Sequence, residues 1–241
     1  MPSPPGLDVQ SHIASLRDAT TRLEAAIAGC IESGGGEAFA APSRLPKWTV
    51  GHVVTHLARN ADGLRRVLVG AKVGEQLQPY ASPQARVDDI EAGALRSTET
   101  IAKDFRTATE QLSETIETLP PAVWSGTVDL GRGGPTTADV ILAARLAEVE
   151  LHHHDLGVDP GLALLDRMQA DQLLAALLRS YVRTREVTGL TLVPDGAPMI
   201  TIGQGGPPIA GAAIDVASWL SGRDDGSRLR VDEPLPELPT W

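Results

Sequence analysis

Apolar residues at helical spacing fill four separate stretches of the first 157 positions, and this repetition constrains the fold more than any other feature of the chain. Ile13, Leu16, Leu23, Ile27 and Cys30 form the first stripe, which the Gly34-Gly35-Gly36 run stops. A second helix starts at Thr49, a good N-cap, and carries Val50, Val53, Val54, Leu57, Leu64, Val67 and Leu68 to Gly70. A third runs from Ser82-Pro83 to Leu119, with Val87, Ile90, Ile101, Phe105, Leu112 and Ile116 inward. Pro120-Pro121 ends it, and its length leaves room for a break near Gly93. After a short strand or hairpin between Thr127 and Gly134, a fourth helix begins near Thr136-Thr137. It passes through Val140, Ile141, Ala144 and Leu151 to Leu156 and closes at Gly157. Each stripe must be buried against another, so four helices with two long connections imply a bundle with crossovers. Aromatic residues are only 3% of the chain, so small aliphatic side chains must fill that core.

The pattern changes after Pro160-Gly161. A helix from Leu165 to about Arg185 precedes two strand-like runs, Leu190–Val193 and Met199–Ile202, separated by the turn signal Pro194-Asp195-Gly196. A short helix, Ala212–Leu220, and a last strand around Leu229-Arg230-Val231 complete a small α/β unit. The expected class is α plus α+β: a four-helix bundle over residues 1–160 and a small α/β domain over 161–241.

Charge and cysteine usage narrow the function. Lys+Arg 21 against Asp+Glu 31 gives 21 − 31 = −10, which argues against nucleic acid or an anionic membrane as the main partner. The single cysteine, Cys30, leaves no internal disulfide and fits a reducing cytosol, so the expected location is cytoplasmic. Its place on an apolar stripe reads as a buried, inert thiol. The Pro-rich start, MPSPPGLDVQ, reads as a loose tail and not as a signal peptide.

The histidines point to chemistry. With the fourth helix centred on Val140, Ala144 and Leu151, Glu148 falls near the middle of the stripe and His152 at its edge. Asp155 points inward too, whereas His153 and His154 face solvent. On the second helix His56 flanks the stripe, and His52 lies about 40° further toward water. A carboxylate among Val, Ala and Leu is costly unless it is paired or metal-bound. His56, Glu148 and His152 can therefore converge as the shell of a catalytic zinc with an open position, with Asp155 behind a ligand imidazole. A buried Glu–His or Glu–Arg pair, with Arg145 close by, satisfies the same pattern, and the same donors also serve iron. His52 is an alternative co-ligand, one turn from His56. Two arginines sit at helix ends: Arg86 after Tyr80–Ala85, and Arg223 after Trp219-Leu220-Ser221-Gly222. Each suits a carboxylate through its two-pronged guanidinium, or simply a solvated surface. Gly203–Gly206 lacks the strand-to-helix setting of a dinucleotide loop and reads as a turn.

The stretch Trp48–Leu57, then Glu148–His152 with Asp155-Leu156-Gly157, resembles the mycothiol-dependent maleylpyruvate isomerase family. Tyr80–Arg86, Ala217–Arg223 and the close at Trp241 extend the resemblance over nearly the whole chain. The resemblance implies a DinB-like four-helix bundle binding zinc through His56, Glu148 and His152, and a small α/β C-terminal domain that completes the active site. It makes Arg223 catalytic and gives Arg86 and Arg223 to the substrate's carboxylates. The implied reaction is isomerisation of maleylpyruvate to fumarylpyruvate in aromatic degradation through gentisate. Mycothiol, a low-molecular-weight thiol, adds to the double bond of the dicarboxylate substrate, the adduct rotates, and elimination releases the trans product. Two other readings share the scaffold: a mycothiol S-transferase, in which addition is the end point, and a non-catalytic zinc or small-ligand binding protein.

Overall fold

The computed structural model describes residues 8–131, 133–184 and 189–238; the start of the Pro-rich tail, Arg185 and Trp241 lie outside them. The chain divides into two compact units, Met1–Gly161 and Leu162–Trp241.

The first unit is a four-helix bundle of α1 (Val9–Gly34), α2 (Val50–Val73), α4 (Thr98–Thr118) and α5 (Val140–Leu156), with α3 (Pro83–Ala94) added against α2. Helix α2 packs on α4 and α5, and α1 packs on α5. The core is largely aliphatic, as the composition requires: Leu23, Val53, Val54, Leu57, Leu68, Ile101, Ile141 and Leu142 are sealed from solvent, with the rings of Phe39, Phe105 and Trp124 buried among them. Thr49 caps α2 reciprocally with His52. The Thr49 hydroxyl accepts from the His52 backbone N–H, and the His52 Nδ1 accepts from the Thr49 backbone N–H at 3.2 Å. A cap of this kind is typically worth about 1 kcal/mol.

The expected third helix is two. Ser97 caps a new helix by accepting from the Thr100 backbone N–H, and three residues, Leu95–Ser97, turn the corner between α3 and α4. Gly93 marks the approach of α3 to α2: a Cβ there would lie 2.5 Å from the Thr55 methyl. Redirected in this way, α3 buries Ile90 and leaves Val87 exposed, against the inward expectation for Val87. The expected start of the fourth helix at Thr136-Thr137 is instead a strand. β1 (Thr127–Asp129) and β2 (Pro135–Thr137) form an antiparallel hairpin, with Val128 opposite Thr136. Backbone bonds from Ala138 to Gly126 and from Asp139 to Trp124 hold it, so α5 begins only at Val140.

In the second unit, α6 (Arg167–Thr184) and α7 (Ala213–Leu220) pack together beside a three-stranded sheet ordered β4-β3-β5. β3 (Gly189–Pro194) and β4 (Ile200–Gly203) pair antiparallel with Leu190 opposite Ile202, around the expected turn at Gly196. The Gly203–Gly206 segment is a turn, with the Gly205 N–H bonding the Ile202 carbonyl. β5 (Pro208–Gly211) runs parallel to β3 and has no counterpart in the sequence reading. The expected last strand reduces to a single bridge between Arg230 and Ala210. Among the described residues no helix is long and apolar enough to cross a membrane.

Candidate metal centre

Two helices build the site. The register of α2 that buries Val53 and Leu57 also buries His56, and Glu148 and His152 lie one turn apart on α5. The Nε2 of His56 lies 2.8 Å from Glu148 Oε2, and the Nε2 of His152 lies 3.3 Å from the same oxygen. The two imidazoles meet edge to face at 4.7 Å between centroids. Among the described residues these three form the group whose ligand atoms lie within 4.8 Å of one another.

Their surroundings divide the roles. His152 donates from Nδ1 to Asp155 Oδ2 at 2.8 Å, which fixes its ring and turns Nε2 toward Glu148. His56 accepts at Nδ1 from an Arg86 N–H at 3.1 Å, so its own proton sits on Nε2 and goes to Glu148. Trp48 covers the rim, its ring 5.7 Å from that of His56. Burial pushes His56 down to about 4, despite its hydrogen bond to Glu148. Burial would raise the Glu148 carboxyl, but hydrogen bonds from His152 and His56 outweigh it and hold Glu148 well below the usual carboxylate range. Burial would lower His152, but the carboxylates of Asp155 and Glu148 prevail and raise it. At neutral pH the cluster therefore offers an ionised carboxylate and a neutral His56, both ready to act as donors to a cation.

A tetrahedral zinc with nitrogen and oxygen ligands needs donor atoms about 3.3 Å apart. The observed separations and the donor types fit such an ion. The Glu148 side chain is 25% exposed and not sunk in the middle of the apolar stripe, so one side of the cluster opens outward. Asp155 stands where a ligand histidine's carboxylate partner belongs.

The other expected residues fall as follows. His52 is committed to the Thr49 cap, with Nε2 3.4 Å from Glu91, and lies outside the cluster. Arg86 reaches the site through His56 and stacks over Tyr80, its Cζ 5.8 Å from the ring centroid. Arg223 belongs to the second unit, half-buried just after α7, where it donates to the Ser221 carbonyl at 2.6 Å. Cys30 is half-buried, and burial raises its thiol pKa, which keeps it a poor nucleophile.

His153 contradicts the expectation of a solvated side chain. It is buried and bonds Asp159 Oδ2 at 2.9 Å, because the loop after α5 folds back over that side of the helix. His154 is half-buried against Arg44. The sequence reading also missed how Arg86 meets His56. The signal was Ser82-Pro83, a cap and first-turn proline that start α3 close enough for Arg86 to reach back.

Fold and cluster together define the class: a DinB-like four-helix bundle with a two-histidine, one-carboxylate group between two of its helices. The model of the mycothiol maleylpyruvate isomerase N-terminal domain matches residues 16–157, and the chain belongs to that family. Two solved structures, both of a mycothiol-dependent maleylpyruvate isomerase and one of them a histidine-to-alanine variant, superpose with a TM-score of 0.81. Identity is 22% for the variant and 23% for the other, with 98% of each chain covered, so the likeness is one of fold. A search of curated proteins found no match.

Proposed function

We propose that this protein is a zinc- and mycothiol-dependent isomerase that converts maleylpyruvate to fumarylpyruvate, a cytoplasmic step in the gentisate route of aromatic degradation. The observation that carries the reading is the convergence of His56, Glu148 and His152, open on the Glu148 side and braced by Asp155, in a chain of this family. These three residues hold the metal. Bound zinc and the cofactor's sulfur would together supply a nucleophile able to give the substrate's double bond transient single-bond character.

The chain's own residues do the rest. Glu148 and His56 enter the site ionised and neutral respectively, so neither has to shed a proton to bind a cation near pH 7. His56 would hold the metal with its ring proton moved to Nδ1, the atom to which Arg86 now donates. Arg86 must then turn to another acceptor, and a substrate carboxylate suits it. Arg223, which the family resemblance gives to the substrate, takes the other carboxylate and stabilises negative charge that builds on the substrate. Cys30 takes no part.

The test is turnover of maleylpyruvate by purified zinc-loaded protein with substoichiometric mycothiol, following free thiol and fumarylpyruvate together. Many turnovers with thiol recovered unchanged support isomerisation, and Cys30→Ala should turn over normally. Thiol loss in step with product formation would make the protein an S-transferase. No reaction with either outcome would leave a binding protein on the same scaffold.

A further inference from the structure

Among the described residues Arg145 is the largest fully buried side chain, at 1% exposure. Its Nη1 donates to the Leu57 carbonyl at 2.9 Å and to Asn60 Oδ1 at 2.7 Å, both on α2 just past His56. Its Nη2 is buried and has no hydrogen-bond partner. Among the described residues no carboxylate stands within ion-pair distance of it. A buried guanidinium with one prong idle and no counter-ion is expensive. Tying α5 to α2 does not explain it, since Nη1 alone makes that tie and a neutral amide could do the same.

Its position supplies the reason. Arg145 lies three residues before Glu148 and seven before His152, which puts all three on one face of α5. Burial lowers the guanidinium to about 10, against the opposing pull of Glu148, Tyr80 and Asp62, so it remains a cation at neutral pH. Tyr80 also lies under Arg86. Two guanidiniums, Arg86 and Arg145, thus act on a cluster that holds the carboxylates of Glu148 and Asp155, with Asp62 acting on Arg145 as well. What the arrangement leaves unsatisfied is the buried Nη2 donor of a cation, and an anion is the ligand that suits it best.

We propose that Arg145 is an anion-binding residue of this pocket, its free Nη2 taking a carboxylate oxygen of the substrate beside the guanidinium of Arg86. The choice of a carboxylate rests on the functional reading above; the demand for an anion does not. The Nη1 bond to the Leu57 carbonyl, which does not depend on Asn60, holds the fork in place before the ligand arrives, so little side-chain entropy is lost on binding.

The test uses maleate as a non-reacting dicarboxylate probe, titrated calorimetrically into zinc-loaded protein. Wild type is compared with Arg145→Lys, which keeps the charge without the second prong, and with Asn60→Ala, which loosens only the α2 tie. The expected result is at least tenfold weaker maleate binding by Arg145→Lys, with metal content retained, and near-wild-type binding by Asn60→Ala. Equal maleate affinity in wild type and Arg145→Lys would overturn the proposal. So would parallel losses in both variants, which mark a purely structural role. A crystal structure of the wild-type maleate complex provides a second reading that needs no variant to fold. A carboxylate oxygen within hydrogen-bond distance of Arg145 Nη2 supports the assignment, and a maleate bound elsewhere refutes it. Arg145-dependent maleate binding by a protein that does not isomerise maleylpyruvate would sink the proposed reaction and leave this site standing. Normal isomerisation with unchanged maleate affinity in Arg145→Lys would do the reverse, and a wild type that binds no maleate would count against both.

Discussion

Replacing Asp155 by Asn isolates the support behind the cluster. Asp155 is 1% exposed, and its Oδ2 accepts from His152 Nδ1 at 2.8 Å. Asn keeps the volume and can still accept that proton, so the fold should survive. The change is from a charged to a neutral acceptor in a buried site. Charge-assisted hydrogen bonds contribute about 1.5–3 kcal/mol and neutral ones about 0.5–1.5 kcal/mol, a difference of about 1–2 kcal/mol. Loss of such a partner typically weakens metal binding by about ten- to a hundredfold. A competition titration with a chromophoric zinc chelator at pH 7.5 reads this directly. A second signature separates support from mere proximity. His152 must lose its proton to bind metal through Nε2, and its raised pKa makes protons compete above the ordinary histidine range. Wild-type affinity should therefore fall as pH drops through that raised value. Asp155→Asn lowers the His152 pKa and should move the fall to lower pH while weakening binding on the plateau. Unchanged plateau affinity together with an unchanged pH midpoint would refute the argument that Asp155 tunes the cluster.

The metal-free protein should be most stable near pH 6.5. His152, raised on folding, contributes stability that is full below its unfolded value of about 6.5 and is lost as pH rises through the folded value. His56, held at about 4, stays neutral while the unfolded chain takes up a proton, so stability falls between pH 6.5 and 4 by on the order of 3 kcal/mol. Urea unfolding of chelator-treated protein across pH 4.5–8.5 measures both limbs, and a flat profile would rule out this balance. Arg223→Ala should keep metal and fold but lose roughly a hundredfold or more in turnover, with little recovered by Arg223→Lys, which lacks the two-pronged donor. Near-normal steady-state rates for the alanine variant would remove Arg223 from the site.

The bundle was legible because each of its helices has one face that water rejects, and the period of that face survives in the sequence. Thr49 announced the start of α2, and Gly157 the end of α5. The convergence of His56, Glu148 and His152 followed from the same angular argument. The argument fails where a helix is covered on more than one side. His153 was assigned to water because it lies opposite the apolar stripe, but α1 and the loop through Asp159 cover that face as well. No periodicity in α5 itself can report a lid supplied by another segment. The break at Leu95–Ser97 was half visible, since Gly93 suggested it but Ser97 made it. β5 escaped notice because Pro208–Gly211 is four residues long and begins with proline, and it becomes a strand only by lying beside β3.

The polar residues buried around α5 also set its angular position. Glu150 on one side is held by Arg22 of α1, His153 by Asp159, and Arg145 by Leu57 and Asn60 of α2. Sliding the helix by one residue would turn it by about 100°. An aliphatic core of Leu, Val and Ala would absorb that rotation at modest cost, since one small apolar side chain replaces another. The pinned groups would not, because each would lose its partner inside the protein at about 1–3 kcal/mol or more apiece. They act as an indexing device, like the key on a shaft. The same rotation would carry Glu148 and His152 away from His56, so the helix can be seated in the one orientation that assembles the site and resists its neighbours.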